Sequence, residues 1–281
     1  MDTMKTIDRE MLSSFGAKLK NDERSDLTVE KYLRDVRRFI AFARGGAVDR
    51  EKVLVYKAAL GKEYAVSSAN SMLAALNAFF RFIGWPELCV KQFRVQRKTF
   101  CGEEKELTRA EYVRLCRAAE ERGDERLSLI LQTICGTGIR VSELAFVTVE
   151  AARTGEATVD CKNKARRIFI VPALRKKLLS YCRRRGIREG HVFRSKTGRP
   201  VSRVAVWRAM KCLCEAARVA PGKVFPHNLR HLFARAFYAV EKDIAKLADV
   251  LGHSSVDTTR IYIITTGREH RRKMEMLHLI L

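Results

Sequence analysis

The stretch FPHNLRHLFARAFYAVE, residues 225–241, has the polar and apolar spacing of an amphipathic helix. Pro226 stands where that helix should begin, because proline's fixed φ suits the first helical turn and its missing amide hydrogen is not needed there. His227, Arg230 and His231 then share one face at i, i+3 and i+4. We expect these histidines to be largely neutral, since the neighbouring guanidinium disfavours imidazolium; the alternative is a merely solvated helix start. The face expected to pack carries Phe233, Phe237 and Val240.

The next segment, residues 243–263, predicts a corner between two helices. A first helix over 243–251 is expected to end at Gly252, a residue type that favours the conformation of a helix C-terminus. His253 follows directly, either Ser254 or Ser255 can cap the second helix, and Tyr262 comes nine residues after His253. The corner therefore presents a histidine and then a tyrosine. The residues expected to face inward on the first helix are Ile244, Leu247, Ala248 and Leu251.

Composition points to a folded protein with a polyanionic partner. The 281 residues, 47% of them hydrophobic, are enough for one large or two ordinary domains. Lys and Arg number 55 against 32 Asp and Glu, a formal net charge of +23. Because the excess runs through both halves of the chain, a single basic tail is excluded and a long basic surface is favoured.

The cysteine pattern predicts reduced thiols and a cytoplasmic location. The eight cysteines are scattered, with no C-x-x-C and no secretory segment. Cys212 and Cys214 would point to different faces of a helix and have no second pair, so no metal site is predicted. No apolar run reaches the roughly 18 residues that span a bilayer, which leaves a membrane surface as a weak rival for the positive charge.

Residues 1–90 predict a small all-helical domain. The pattern over 10–44 is helical, with one packed face and one basic face, and a further helix is expected over 68–83, ending at Gly84. The packed face of the first segment carries Val29, Leu33, Val36, Ile40 and Ala43, and that of the second carries Met72, Leu73, Leu76, Phe79, Phe80 and Ile83. The basic residues on the exposed side are Arg34, Arg37 and Arg38.

Residues 91–106, KQFRVQRKTFCGEEKE, predict an interdomain linker, because they lack helical periodicity and are rich in charge. Its basic residues either keep the linker solvated or follow a phosphate backbone; they are Lys91, Arg94, Arg97 and Lys98.

Residues 107–281 predict a second, mainly α domain with a small antiparallel sheet. TRAE, residues 108–111, is a capping box, and a helix over about 125–135 ends in CGTGIR. FVTVE, ATVDC and RRIFIVP, all between residues 146 and 172, are rich in β-formers and predict three short strands. After Pro172 the chain is expected to be helical to its end. The fold class is therefore mainly α, in two domains.

In chain order, GTGIRVSEL (residues 136–144), a lysine-bearing β segment, H-x-x-R, L-G-H and a tyrosine nine residues later resemble the tyrosine recombinases, the family of lambda-type integrases, Cre and the Xer recombinases. Five spaced elements in order are highly specific. The resemblance covers nearly the whole chain, because the helical domain at its start is similar to the family's core-type DNA-binding domain.

The resemblance implies a role for each matching residue. Arg140 and Arg230 would clamp the scissile phosphate, His227 and His253 would be the active-site histidines, and Tyr262 would be the nucleophile. Two fixed guanidiniums can stabilise the charge that develops on a phosphodiester without a metal. A 3′-phosphotyrosine retains an ester bond that the exchanging 5′-hydroxyl can attack, so no ATP or other cofactor is expected.

The lysine that the family uses as general acid has two candidates here, in VDCKNKARRIFIVP. Counting back from Pro172 favours Lys164, and counting forward from Val159 favours Lys162. Asn163 replaces the usual glycine between them. We take Lys164 as the acid, with Lys162 as the alternative, and expect the other lysine to contact backbone phosphate. Two further phosphate candidates follow: Arg166 and Arg167.

Two nearby residues have competing interpretations. Glu143, three residues after Arg140, either orients that arginine or forms an ordinary surface pair. Tyr238 is interpreted as packing, since it lies between Phe237 and Val240 and lacks a nearby histidine in the sequence.

The C-terminal tail is strongly apolar at its end. It either covers the protein's own core or, as the resemblance implies, is exchanged between protomers of a homo-tetramer on DNA. The residues concerned are Met274, Leu277, Leu279, Ile280 and Leu281. The implied partners are paired double-stranded recombination sites, together with an accessory DNA-bending or directionality factor as an optional one. The rival functions are a type IB topoisomerase and a non-catalytic DNA-binding accessory protein.

Overall fold

The computed structural model describes residues 5–95, 106–160, 165–253, 255–262 and 274–277. The chain divides into two compact units, Met1–Arg97 and Lys98–Leu281. The described residues are mainly helical, with one two-stranded antiparallel sheet, which confirms the predicted fold class. No described helix combines the length and the apolar character that crossing a membrane requires.

The first unit is a four-helix cluster around an aromatic core. Phe39, Phe79 and Phe80 are fully buried at its centre. Asp8 and Asp49 start two of the helices by accepting a hydrogen bond from a backbone amide three residues on. The helices are α1 (Arg9–Asn21), α2 (Asp26–Ala43), α3 (Arg50–Glu63) and α4 (Val66–Phe82), followed by a 3₁₀ turn at Pro86–Leu88.

Helix α3 was not predicted, because its apolar residues do not form one stripe. Val53 and Tyr56 are buried, whereas Leu54 and Val55 between them are exposed. Apolar residues that point to several sides of a helix, among charged ones, give no clear period of 3.6 residues, so the sequence pattern did not indicate this helix.

The first residues of the predicted linker are held on the first unit. Asn70 on α4 exchanges two hydrogen bonds with the backbone of Phe93, at 2.8 and 2.9 Å. Asn77, two turns further along the same face of α4, does the same with Val90 at 2.8 and 3.0 Å. Residues 91–93 therefore pack as part of this unit instead of starting a free linker.

The second unit begins with the predicted capping box. The Thr108 amide donates to Glu111 at 2.8 Å, and the Glu111 amide donates to the Thr108 hydroxyl at 3.2 Å. This box starts α5 (Arg109–Glu121), which is followed by α6 (Glu125–Thr137). Helix α6 ends at Gly138, where φ is +67° and a Cβ would lie 2.4 Å from the ring of Phe233. Both the backbone conformation and the close ring require glycine at this position.

The predicted strand FVTVE is wrong. Residues Val141–Phe146 form a 3₁₀ turn and Val149–Thr154 form α7, with Thr148 between them. The Thr148 hydroxyl accepts from the Ala151 amide at 3.1 Å and so caps α7, a local interaction that outweighs the β preference of the segment. Thr148 retains one isolated bridge to His191.

The two strands that do form are β1 (Glu156–Asp160) and β2 (Ala165–Phe169), paired antiparallel from Glu156↔Phe169 to Asp160↔Ala165. After them come α8 (Pro172–Arg184) and α9 (Arg203–Lys211). Residues 185–202 are not helical, in contrast to the prediction. A turn there brings the Ser195 amide to the Arg199 carbonyl at 2.7 Å, and Pro200 has no amide hydrogen with which to continue a helix.

The last described helices are α10 (Pro226–Glu241), α11 (Ile244–Leu251) and α12 (Val256–Arg260). Helix α10 starts at the predicted proline, and α11 ends at the predicted glycine. Of the two proposed caps, Ser255 bonds the Asp257 amide at 3.2 Å, and Ser254 lies outside the described residues. Val240 is 86% exposed and is not on the packed side, because the buried stripe of α10 stops one turn before the helix does.

Candidate active site

The buried side chain of Arg230 lies where α6, α10 and α11 meet. It is 1% exposed, and it donates to the carbonyls of Gly138 and Leu251, each at 2.7 Å. Both carbonyls are at helix C-termini, where the helix dipole is negative and favours a cation. Burial and the charge of Arg140 lower the pKa of Arg230 to about 10, so the guanidinium remains charged at neutral pH.

A buried carboxylate, Glu143, connects three arginines. Its side chain accepts from Arg140 Nη1 at 2.8 Å, from the Arg140 amide at 2.7 Å and from Arg166 Nη2 at 2.5 Å. It also lies 4.0 Å from Arg230 Nη1. Burial alone would raise the pKa of Glu143, but the bonds from Arg140 and the charges of Arg166 and Arg140 outweigh it and lower the pKa. Glu143 thus orients Arg140, and the surface-pair interpretation is wrong.

Arg166 is largely buried and bonds to two internal partners of the site. Its two Nη groups donate to Glu143 and to the Val250 carbonyl, and its side chain is 12% exposed. It also lies across Gly252, where φ is +67° and a Cβ would stand 2.4 Å from Arg166 Cδ. The structure therefore gives Arg166 internal partners, in contrast to the prediction of a phosphate contact. Arg167 is 73% exposed and pairs with Glu156 at 3.6 Å.

Tyr262 is 4% exposed and is surrounded by three histidine rings. Its ring centroid is 4.3 Å from that of His231, 5.4 Å from that of His253 and 5.7 Å from that of His227. The sequence placed His231 on the correct helix face, at i+4 from His227, but assigned it no part in the site. Tyr238 packs against the same apolar cluster as Tyr262, in line with its interpretation as packing.

All three histidines are held neutral. Burial, His227 and Arg230 lower the pKa of His231 to about 4, and burial, Arg230, Arg140 and Arg166 lower that of His253 to about 4. Desolvation and the charges of Arg230 and Arg140 also lower the pKa of His227. The expectation of neutral histidines next to arginine is confirmed.

A groove of about 620 Å³ opens beside these residues. Its lining includes Arg140, whose side chain is 42% exposed, together with His227 and Arg230. Residues of α9 also line it, namely Arg203, Val204 and Trp207. The groove therefore gives an anion access to the guanidinium of Arg140 and to a neutral imidazole, next to the buried guanidinium of Arg230.

Not every predicted site residue falls within this region. Four of the predicted residues lie outside the described residues. They are Lys162 and Lys164, between β1 and β2 in the sequence, and Arg97 and Lys98 in the predicted linker. The remaining basic candidates are exposed residues of the first unit: Arg34, Arg37, Arg38, Lys91 and Arg94. Arg38 lies 4.8 Å over the ring of Tyr64 and 3.4 Å from Glu63.

The carboxylate of Glu143 predicts a pH-dependent contribution to stability. Because its folded-state pKa is below the ordinary 4.5, the ion-pair contribution is present above pH 4.5 and is lost as the pH falls through the folded-state pKa. Glu143→Gln should lower the free energy of unfolding by about 3 kcal/mol at neutral pH, since it leaves buried arginines without their counter-charge. The difference from wild type should shrink below pH 4.5, as measured by urea titration. Glu156→Gln, at an exposed pair, is the control and should change little; an equal loss at every pH would contradict the ion-pair explanation.

Comparisons with known proteins show the family of the chain. The sequence matches the phage integrase family over residues 105–267, and the N-terminal SAM-like domain of phage integrases over residues 12–86. Tyrosine recombinase XerA of Pyrococcus furiosus is 30% identical over 287 residues, which cover 98% of this chain and 96% of that protein. Tyrosine recombinase XerC of Methylobacterium nodulans is 30% identical over 288 residues, covering 90% and 88%.

Solved structures share the fold. A crystal structure of XerA recombinase is 25% identical, with a TM-score of 0.54 over 97% of this chain and 99% of that chain. A lambda integrase tetramer bound to a Holliday junction has a TM-score of 0.74 at 18% identity, over 93% and 78%. Since the family match spans more than half of the residues, the chain belongs to the phage integrase family and is a tyrosine recombinase.

Proposed function

We propose that this recombinase breaks and rejoins DNA at specific sites through a covalent phosphotyrosine formed by Tyr262. One observation carries the proposal: segments from three distant parts of the sequence come together, so that Arg140, His227 and Arg230 line one groove while His253 and Tyr262 lie directly behind Arg230 and His227.

In the proposed reaction the scissile phosphate binds between Arg140 and Arg230. The Tyr262 oxygen attacks phosphorus, a 3′-phosphotyrosine forms, and the bond to the 5′-oxygen breaks. The two guanidiniums stabilise the charge that develops on the non-bridging oxygens. The 5′-hydroxyl of another strand then attacks the phosphotyrosine and releases Tyr262. Because one ester is exchanged for another at each step, no ATP, metal or other cofactor is required.

Proton transfer is divided between two sides of the phosphate. A tyrosine hydroxyl holds its proton at neutral pH, so a neutral histidine is needed to accept that proton, and His227 is the candidate for this role. The leaving 5′-oxygen takes a proton from Lys164, or from Lys162 as the alternative. Neutral histidines suit this role, because an imidazolium has no lone pair with which to accept a proton.

The proposed partner is double-stranded DNA, bound as paired recombination sites by four protomers in the cytoplasm. The net charge of +23 supports a polyanionic partner, and the exposed basic residues of the first unit supply phosphate contacts. Related structures are described as bound to DNA, among them lambda integrase with a Holliday junction and XerH with difH. An accessory DNA-bending or directionality factor remains an optional further partner.

For assembly we propose exchange of the C-terminal tail. Met274, Met276 and Leu277 are 59%, 67% and 60% exposed, while Leu279, Ile280 and Leu281 lie outside the described residues. The second unit offers an apolar groove of about 390 Å³ between α5, α6, α8 and α10. Its apolar lining includes Tyr112, Val171, Leu174, Leu232 and Phe233. Such a groove fits the tail of a neighbouring copy.

The nucleophile is tested by trapping. Nicked duplexes from a randomised pool should yield a covalent protein–DNA adduct, because the short fragment with the new 5′-hydroxyl diffuses away after cleavage and cannot rejoin. Sequencing the trapped DNA identifies the site. Tyr262→Phe should abolish the adduct while keeping the buried ring, and Tyr238→Phe should retain it. An adduct that survives in Tyr262→Phe refutes the assignment. Relaxation of supercoiled DNA with no required site would favour a type IB topoisomerase instead.

A substrate whose 5′-bridging oxygen is replaced by sulfur distinguishes the roles of Lys162 and Lys164. A thiolate leaves without protonation, since a thiol pKa is only about 8.5. Lys164→Ala should slow cleavage of ordinary DNA by about 10²- to 10⁴-fold and cut the sulfur substrate at nearly the wild-type rate. Lys162→Ala should show a smaller loss that sulfur does not rescue. The reverse pattern would identify Lys162 as the acid, and rescue of neither variant would exclude both.

Tail exchange predicts a separation of binding from assembly. A chain truncated after Gly267 should bind a single site with nearly wild-type affinity, because the proposed DNA-contacting residues all precede the truncation, but should lose cooperative binding to paired sites. Leu232→Glu, which places a charge in the proposed acceptor groove, should have the same effect. Gel-shift titrations on one and two sites measure both quantities, and unchanged cooperativity in the truncated chain would rule out the exchange.

A further inference from the structure

The imidazole of His253 has a hydrogen-bond partner on each nitrogen. Nε2 is 3.0 Å from Arg230 Nη2, and Nδ1 is 2.8 Å from the hydroxyl of Thr259. Thr259 is completely buried, one of few polar side chains with that property in the described part of the chain. Its hydroxyl is therefore directed at His253 and is shielded from water.

These two contacts determine the tautomer of His253. A guanidinium carries only donors, so Nε2 must accept the bond from Arg230 and cannot carry a hydrogen. The hydrogen of the neutral ring is then on Nδ1 and is donated to the Thr259 hydroxyl oxygen. The ring is neutral at ordinary pH, as its lowered pKa of about 4 also indicates.

Thr259 also holds the tyrosine. The Tyr262 amide donates to the Thr259 carbonyl at 3.0 Å. One residue thus binds His253 through its side chain and Tyr262 through its backbone. The two rings lie nearly parallel, with an interplanar angle of 21° and a centroid distance of 5.4 Å.

We propose that Thr259 is a positioning residue for strand cleavage: its hydroxyl fixes His253 in the Nδ1–H tautomer and keeps the ring in register with Tyr262 and Arg230. This inference rests on the proposed function, since it assumes that His253, Arg230 and Tyr262 act together on the phosphate.

Loss of the hydroxyl would leave the Nδ1 hydrogen buried without an acceptor, which is costly. The ring would avoid this cost by moving its hydrogen to Nε2, but there the hydrogen would face a donor hydrogen of the Arg230 guanidinium. The ring cannot avoid this conflict by taking up a second proton, because the surrounding groups disfavour a charged ring. These groups are Arg230 and His227 on α10, Arg140, and Arg166 on β2. Either the imidazole or the Arg230 guanidinium must then shift from its present position.

The tautomer can be measured in the free protein, without any DNA. Long-range ¹H–¹⁵N spectra of labelled protein distinguish a ring nitrogen that carries hydrogen from one that does not. Wild type should show His253 as the Nδ1–H tautomer, and Thr259→Val should lose that pattern. A wild-type His253 in the Nε2–H form would overturn the proposal whatever the protein does to DNA.

The functional test compares Thr259→Val with Thr259→Ser for covalent adduct formation on the nicked duplex selected by wild type. Valine keeps the shape and removes the hydroxyl, whereas serine keeps the hydroxyl and removes the methyl group. A positioning role predicts that Thr259→Val slows cleavage by about 10- to 100-fold, the usual effect of removing the partner that orients a functional histidine, with DNA affinity unchanged. Thr259→Ser should stay near wild type. A merely structural role predicts the opposite order of the two variants.

Two controls complete the test. Thr258→Val makes the same chemical change at an exposed neighbour and should leave the cleavage rate unchanged. In a His253→Ala background, Thr259→Val should cause no further loss, because the hydroxyl acts through that ring. Wild-type cleavage in Thr259→Val would overturn the positioning role alone. Failure of wild type to form any Tyr262 adduct would instead overturn the proposed function.

Discussion

The second unit depends on one constraint: the positive charge of Arg230 is buried and has to be satisfied there. Moving a charged group out of water costs several kcal/mol even after relaxation, unless hydrogen bonds and counter-charge replace the lost water. Here the carbonyls of Gly138 and Leu251 each accept a bond at 2.7 Å, and Glu143 lies 4.0 Å away. Each partner comes from a different segment, so the contacts of this one side chain bring the ends of α6 and α11 and the 3₁₀ turn to the same point.

The acceptors are available because of how the two helices end. The last carbonyls of an α-helix have no partner within the helix, and a glycine in the left-handed conformation turns the chain away and leaves them accessible. Gly138 and Gly252 both have φ of +67°. Each is also approached closely by a side chain, that of Phe233 or Arg166, so a larger residue would disturb the backbone and its neighbour together. The glycines therefore shape the site as much as the arginines do.

The sequence predicted those parts of the site that local spacing determines. Pro226, the i, i+3, i+4 face of α10 and the glycine that ends α11 are local signals, and the structure has each of them where expected. Interpretations that depended on distant partners were less successful. Arg166 looks like a phosphate contact in the sequence, but Glu143 and Val250 hold it inside, and neither partner is near it in the chain. The strand predicted at FVTVE failed because the cap by Thr148 outweighs β propensity.

The charges around Arg230 suit a transition state better than a ground state. Arg140, Arg166 and Arg230 share one buried carboxylate, and all three nearby histidines are neutral, so this set of residues keeps two uncompensated positive charges. A bound phosphodiester brings one negative charge. In the proposed reaction the tyrosine proton moves to a nearby histidine, so the net charge of the site does not change, but a second negative charge builds on the phosphoryl oxygens as phosphorus is attacked. Fixed guanidiniums then interact more strongly with the phosphoryl oxygens than they do in the ground state, which is the condition under which they lower a barrier instead of only tightening binding.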